Sequence, residues 1–296
     1  MRRLPIVLLL AVLVAGCGTP PGPASPRLER VASSQVLRVC STGDYRPLTA
    51  LAADGTWSGI DVEMARDLAT ELGARAELVH TTWATLLDDV VADRCDIAVG
   101  GVSVTPDRAE RAAFTEPYLR DGKTPIVRCP DVARYDTVAD IDRPGVRAVV
   151  NPGGTNERFA RETFTRATIV DHPDNSTIFD EIVAGRDDVM VTDAIETRWQ
   201  AAQHPGVLCA VHPDAPFTTS EKAYLTPRRG PGVHRAGGHL AARGPHRRHL
   251  GPARPPLARL SHTPARVATP VVTGVATDGR VWLSDPRATV RSCASW

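Results

Sequence analysis

Glu196, in the run Val191-Thr192-Asp193-Ala194-Ile195-Glu196, is a carboxyl group that could turn a ligand-binding shell into an acid catalyst. Whether the chain carries a molecule or transforms one depends largely on it. Asp193, three residues earlier, stands where a helix opens, and an N-cap role would explain it structurally. A second constellation is Gly101-Val102-Ser103-Val104-Thr105-Pro106-Asp107-Arg108. Ser103 and Thr105 fall on one side of an extended segment, and Pro106 suits the first position of a helix. Hydroxyls, free backbone N–H groups and the Arg108 guanidinium together suit a carboxylate, which accepts bidentate bonds. A capped helix with a surface arginine is the plainer reading of the same residues. Asn151 and Thr155 flank the Gly153-Gly154 turn at a strand–helix junction. Its N–H groups would bind an anion or a keto oxygen, unless Asn151-Pro152 is only a turn former.

These residues need elements to position them. Apolar residues at Val62, Ala65, Leu68, Ala69 and Leu72 keep a helical period, with Gly73 as a stop. Val36 to Cys40, Ala76 to Val79 and Asp96 to Gly100 read as strands, and Trp83 to Ala92 as a second helix. This βαβαβ succession predicts an α/β lobe with a largely parallel sheet. The pattern restarts with strands at Val146 to Val150, Ala167 to Val170 and Val189 to Val191. Helices at Thr155 to Thr163, Asn175 to Ala184 and from Asp193 toward Gln203 alternate with them. Two such lobes with two chain crossovers predict a clamshell. Ligands lie beyond the carboxyl ends of its strands, where Tyr45, Ser103, Asn151 and Glu196 would all face one cleft.

The chain has 296 residues, 42% hydrophobic, with a net charge of +1. The average conceals a split: residues 228–296 hold twelve arginines, no lysine and two acids, against an acidic remainder. Arg2 and Arg3 precede an apolar run that reads as an export signal. Val14-Ala15-Gly16-Cys17 resembles a bacterial lipobox, which implies lipidation of Cys17; an ordinary secretory signal is the alternative. The Pro/Gly/Ser-rich stretch that follows suits a tether. Export places the cysteines in a disulfide-permissive compartment. Cys129 and Cys209 lie in the same half of the body and can pair, and Cys40 and Cys95 form a further candidate pair. No Cys/His spacing resembles a zinc site, so no metal is expected.

The run from Gly100 to Tyr118, ending Phe114-Thr115-Glu116-Pro117-Tyr118, resembles extracellular solute-binding proteins of the amino-acid type. There the positions of Ser103 and Arg108 hold the ligand carboxylate, and that of Asp193 its ammonium group. A closer resemblance covers nearly all of Leu37 to Pro227. It runs through Thr42-Gly43-Asp44-Tyr45, Thr81-Thr82-Trp83, Asp121-Gly122-Lys123-Thr124-Pro125, Asn151-Pro152-Gly153-Gly154-Thr155-Asn156-Glu157, His172-Pro173-Asp174-Asn175, Thr192 to Glu196, Cys209 to Pro213 and Glu221-Lys222-Ala223-Tyr224-Leu225. Together these segments resemble the cyclohexadienyl dehydratases, enzymes built on the solute-binding fold. The resemblance implies decarboxylating dehydration of prephenate, or of arogenate, with no organic cofactor. It assigns general-acid catalysis to Glu196 and a carboxylate clamp to Ser103, Thr105 and Arg108. Lys123 would neutralise a second carboxylate or serve only as a hinge residue. Tyr45 and Trp83 would cover the substrate ring, with a core role for Trp83 as the alternative. Asp193 would hold the ammonium of arogenate or cap its helix.

The expected organisation is a lipoprotein signal over 1–17, a tether over 18–35, a first lobe over 36–124, a second over 125–217, a return strand over 218–227 and an atypical tail over 228–296. The tail reads as a disordered basic extension, as a surface for anionic lipid, or as a shifted reading frame. The exported compartment argues against nucleic acid as a partner. The competing function is a non-catalytic amino-acid-binding lipoprotein serving the permease of an ABC transporter. A sensor domain is a third.

Overall fold

The computed structural model describes residues 26–228. The expected signal, most of the expected tether, Cys17 and the tail beyond Arg228 lie outside the described residues.

Two five-stranded sheets share one plan. In the first, Arg75–His80, Val36–Ser41 and Ile97–Ala98 run parallel, and Leu225–Pro227 is inserted antiparallel beside Ala112–Phe114. In the second, Thr168–Asp171, Arg147–Val150 and Val189–Asp193 run parallel, and Lys123–Arg128 is inserted antiparallel beside Leu208–Ala210. Each inserted strand follows directly on a crossover of the chain. The crossovers themselves pair as Leu119–Asp121 against Ser220–Lys222, a two-stranded hinge. The second sheet takes its first residue at Lys123, two positions ahead of the expected boundary.

The helical period at Val62, Ala65, Leu68 and Ala69 emerges as helix Ile60–Glu71, whose buried face joins Leu37, Val39, Ile97 and Tyr224 in the first core. Each fully buried aliphatic side chain there contributes about 1.5–3 kcal/mol of transfer free energy. The expected helix at Trp83 to Ala92 begins only at Leu86, because Thr82 and Thr85 turn the chain through hydroxyl and backbone bonds first. Likewise Asn175 to Ala184 is helical from Ile178, after a turn at Asp174–Thr177. One expectation is corrected outright: residues 26–34, assigned to the tether, form helix Pro26–Ser34, with Val31 buried in the first core. Arg27 and Arg30 anchor it on the buried Asp96 carboxylate. The proline and serine that suggested a linker are its two ends.

Disulfides join Cys40 to Cys95 and Cys129 to Cys209, with Cα separations of 5.6 and 4.8 Å. No helix among the described residues is long and apolar enough to cross a membrane.

Candidate active site

The cleft is built from strand ends. A cavity between the lobes is lined by Tyr45, Trp83, Gly101 and Ser103 from the first, and by Asn151, Gly154, Thr155, Asn156, Asn175 and Asp193 from the second. The wall at Gly100–Gly101 is fixed from beneath. Both backbone N–H groups donate to the buried Asp61 carboxylate at 2.9 Å, and Tyr118 adds its hydroxyl at 2.6 Å. Gly101 has φ +74°, and a Cβ there would lie 2.7 Å from the Tyr45 ring. Burial of Asp61 without a cation lifts its pKa to about 6. Across the cleft, Gly153 sits so close to Ala84 that a Cβ would lie 2.6 Å from its backbone nitrogen. The second lobe's turn therefore seats directly on the first.

Asp193 is the hub. Its carboxylate accepts from Tyr45 Oη at 2.5 Å, Lys222 Nζ at 2.6 Å and Lys123 Nζ at 3.0 Å. It occupies the N-cap position of helix Ala194–Gln203 but makes no side-chain cap bond. Burial alone would raise its pKa, yet the two ammonium groups override that and hold it well below the usual carboxylate range. Lys123 spends its three N–H groups on Asp193, Thr155 Oγ1 and Asn156 Oδ1. Lys222 is fully buried and also donates to Ser103 Oγ at 2.8 Å.

Glu196 lies one turn further along the same helix, with 0% exposure. It sits behind the cavity wall, not in it. Its neighbours are neutral donors: Thr192 Oγ1 to Oε2 at 2.6 Å and Asn175 Nδ2 to Oε1 at 3.3 Å. Thr192 in turn accepts from Asn156 Nδ2 at 2.8 Å. Burial pushes the Glu196 pKa up to about 8; the Thr192 bond opposes the rise, and the charges of Asp193 and Asp44 add to it.

The other expected residues fall in three places. Tyr45 and Trp83 meet edge-to-face at 5.6 Å between ring centroids, and Trp83 Nε1 donates to Asp44 Oδ1 at 3.1 Å. Asn151 turns its amide away, to the carbonyl of Pro173 at 3.0 Å. Arg108 is buried, donates to the Ser103 carbonyl at 3.0 Å, and opens on the adjoining mouth of the cleft with Trp83 and Thr155. Thr105 is the N-cap of helix Pro106–Arg111 and lines neither space.

Sequence reasoning gave no role to Lys222, Asn156, Thr192 or Asn175. A lysine between Glu221 and Ala223-Tyr224-Leu225, in a segment that returns to a buried sheet, was the available signal for Lys222. Nothing local marks Thr192 as a donor to Glu196 rather than a strand residue.

The sequence pattern of bacterial extracellular solute-binding proteins, family 3, matches residues 37–133. Over 202 residues the chain is 54% identical to cyclohexadienyl dehydratase of Pseudomonas aeruginosa, a match spanning 68% of this chain and 75% of that protein. The chain belongs to the cyclohexadienyl dehydratase family. The family's links to binding proteins are visible from here. The L-cystine-binding protein TcyJ of Escherichia coli K12 is 26% identical over 188 residues, 64% of this chain and 70% of its own. The ancestral amino acid-binding protein AncCDT-1, a precursor of cyclohexadienyl dehydratase, superposes with a TM-score of 0.67 at 28% identity, covering 73% of this chain and 92% of that one. Cyclohexadienyl dehydratases and amino-acid binders thus share one two-lobed frame, and the difference between them must be sought in the side chains of the cleft.

Proposed function

We propose that this chain catalyses the decarboxylating dehydration of prephenate to phenylpyruvate outside the cytoplasm, as a step of phenylalanine formation. Arogenate, the amino-acid counterpart that would give L-phenylalanine, is the second candidate substrate. Glu196 is the general acid. The observation that carries this reading is the Glu196 carboxyl, fully buried among neutral donors and held protonated near neutral pH by a pKa of about 8.

Prephenate brings the driving force, because losing CO2 and water restores an aromatic ring. The protein must hold the dianion and protonate the departing hydroxyl. Thr192 has its hydroxyl oxygen occupied by Asn156, so its own hydrogen points to Glu196 Oε2. Oε2 takes this short bond, while Oε1 accepts only the longer one from Asn175 Nδ2, so we assign the acidic proton to Oε1. The Oε1–H bond breaks as the hydroxyl oxygen takes the proton and its C–O bond opens. The electron pair of the breaking C–CO2 bond enters the ring. Arg108 and Ser103 would clamp one substrate carboxylate. Lys222, with one N–H beyond its bonds to Ser103 and Asp193, is better placed for the second than Lys123 is. Tyr45 and Trp83 would cover the ring, with the backbone N–H groups of the turn between Asn151 and Thr155 at the keto side chain.

The binder reading has less support. A plain amino-acid carrier needs open carboxylate oxygens for the ligand ammonium, and at Asp193 both oxygens already accept from the protein's own lysines and tyrosine. From the N-terminal sequence we propose an exported lipoprotein anchored through Cys17. Mixing the protein with prephenate and following phenylpyruvate absorbance tests the function. Turnover is expected; tight amino-acid binding without turnover would replace the dehydratase reading with the carrier.

A further inference from the structure

Asn175 holds the acid, and half of its side chain has nothing to do. The residue is 2% exposed and lines the cavity. Its Nδ2 donates to the Asp44 carbonyl at 2.9 Å, which settles which end of the amide is nitrogen, since a carbonyl only accepts. The same Nδ2 reaches Glu196 Oε1 at 3.3 Å. Oδ1 is buried and has no hydrogen-bond partner among the described residues. A buried amide oxygen without a donor is costly and rare. Here it belongs to a cavity-lining residue bonded to the oxygen that carries the catalytic proton.

We propose that Asn175 Oδ1 accepts a hydrogen bond from the hydroxyl that the substrate loses, and so presents that oxygen to Glu196. The inference rests on Glu196 being the acid. The choice of donor follows from the substrate's chemistry. The prephenate dianion has ionised carboxylates and a keto oxygen, all acceptors, so the ring hydroxyl is its one O–H donor. One amide then spans both partners in the transfer, with nitrogen on the acid and oxygen on the leaving group. The substrate hydroxyl keeps its own hydrogen on Asn175 and receives a second from Glu196 Oε1. It leaves as water, and Glu196 regains a proton from solvent.

The test is a comparison of binding in an inactive background. Titration calorimetry would measure prephenate and phenylpyruvate on Glu196→Gln and on Glu196→Gln with Asn175→Ala. Phenylpyruvate lacks the hydroxyl. The second change is expected to weaken prephenate about ten-fold, the size of one lost hydrogen bond to a buried donor, and to leave phenylpyruvate unmoved. Equal loss for both ligands would assign Asn175 a purely structural role through Asp44 and overturn the proposal. So would unchanged prephenate binding. If the alanine variant folds poorly, Asn175→Ser reads the same ratio. Full turnover by Glu196→Gln would instead sink the acid assignment, before Asn175 is tested at all.

Discussion

Asp193 and Glu196 start the same helix and are both buried, yet their pKa values are driven in opposite directions. Burial penalises the two charges alike. The partners decide the outcome. Asp193 meets two ammonium groups and a phenol, while Glu196 meets a hydroxyl and an amide. A carboxylate that organises cations and a carboxylic acid that keeps its proton are thus made one helical turn apart. The side of the cleft facing Lys123 and Lys222 is a charged frame, and the side facing Asn175 and Thr192 is a neutral sleeve. An acid catalyst needs both, since the frame holds an anionic substrate and the sleeve keeps a proton ready for it.

The sharpest break in that comparison is Glu196→Gln. Loss of the transferable proton is expected to lower kcat for prephenate by ~10²–10⁴-fold, with KM little changed. Steady-state kinetics on the purified variant would read it, and kcat within a factor of a few of the parent would remove Glu196 from the chemistry. Asp193→Asn attacks the other side and should behave differently. It leaves Lys123 and Lys222 buried without their anion, so a loss of about 3–5 kcal/mol in folding stability is expected. Urea denaturation would show it as a lower midpoint at unchanged slope. A stable Asp193→Asn protein would mean that the two lysines do not depend on this carboxylate.

The contrast also marks what was legible in the sequence. The lobes were readable because Val62, Ala65, Leu68 and Ala69 repeat at a helical period and because strands and helices alternate. Helix Pro26–Ser34 was not, since its proline and its serines are also linker residues, and only Val31 against the first core and the Asp96 ion pairs distinguish the two. In the cleft, residue types with an obvious chemistry were picked out: Glu196, Asp193, Arg108, Lys123. Their partnerships were not, because they join segments far apart in the chain, such as Lys222 with Ser103 and Asn175 with Glu196. Lys123 illustrates the cost. A lysine near a crossover suggests a free cation, whereas its three N–H groups are already engaged.

Thr192→Val probes the neutral sleeve alone. It removes the donor to Oε2 with little change of shape, so the proton is no longer confined to Oε1, and kcat should fall about ten-fold. The pH profile carries the more specific signal. With Glu196 as the proposed acid, activity should be level in the neutral range and decline as pH rises through about 8. The Thr192 bond favours the ionised form, so its loss should move that decline to higher pH. Thr192→Ser should restore both rate and profile. A fall in rate with an unmoved profile would reduce Thr192 to packing.

The smallest expected effect is on stability, and its sign separates the two carboxyls. Burial raises the folded Glu196 pKa from 4.5 to about 8. Between those values the unfolded chain has released the proton that the folded chain retains. Stability from this group is therefore full below the unfolded pKa, declines as pH rises, and is lost once pH passes the folded one. Glu196→Gln has no proton to retain. It should be less stable than the parent near pH 4 and more stable near pH 8, there by about 1–2 kcal/mol. The gain stays below the full linkage value because one amide N–H of the glutamine must face a donor, either Asn175 Nδ2 or the Thr192 hydroxyl. Thermal melts of both proteins across that range would read the crossing. Parallel curves would mean that Glu196 ionises in the folded protein as it does in water, and the sleeve would then have no hold on the proton.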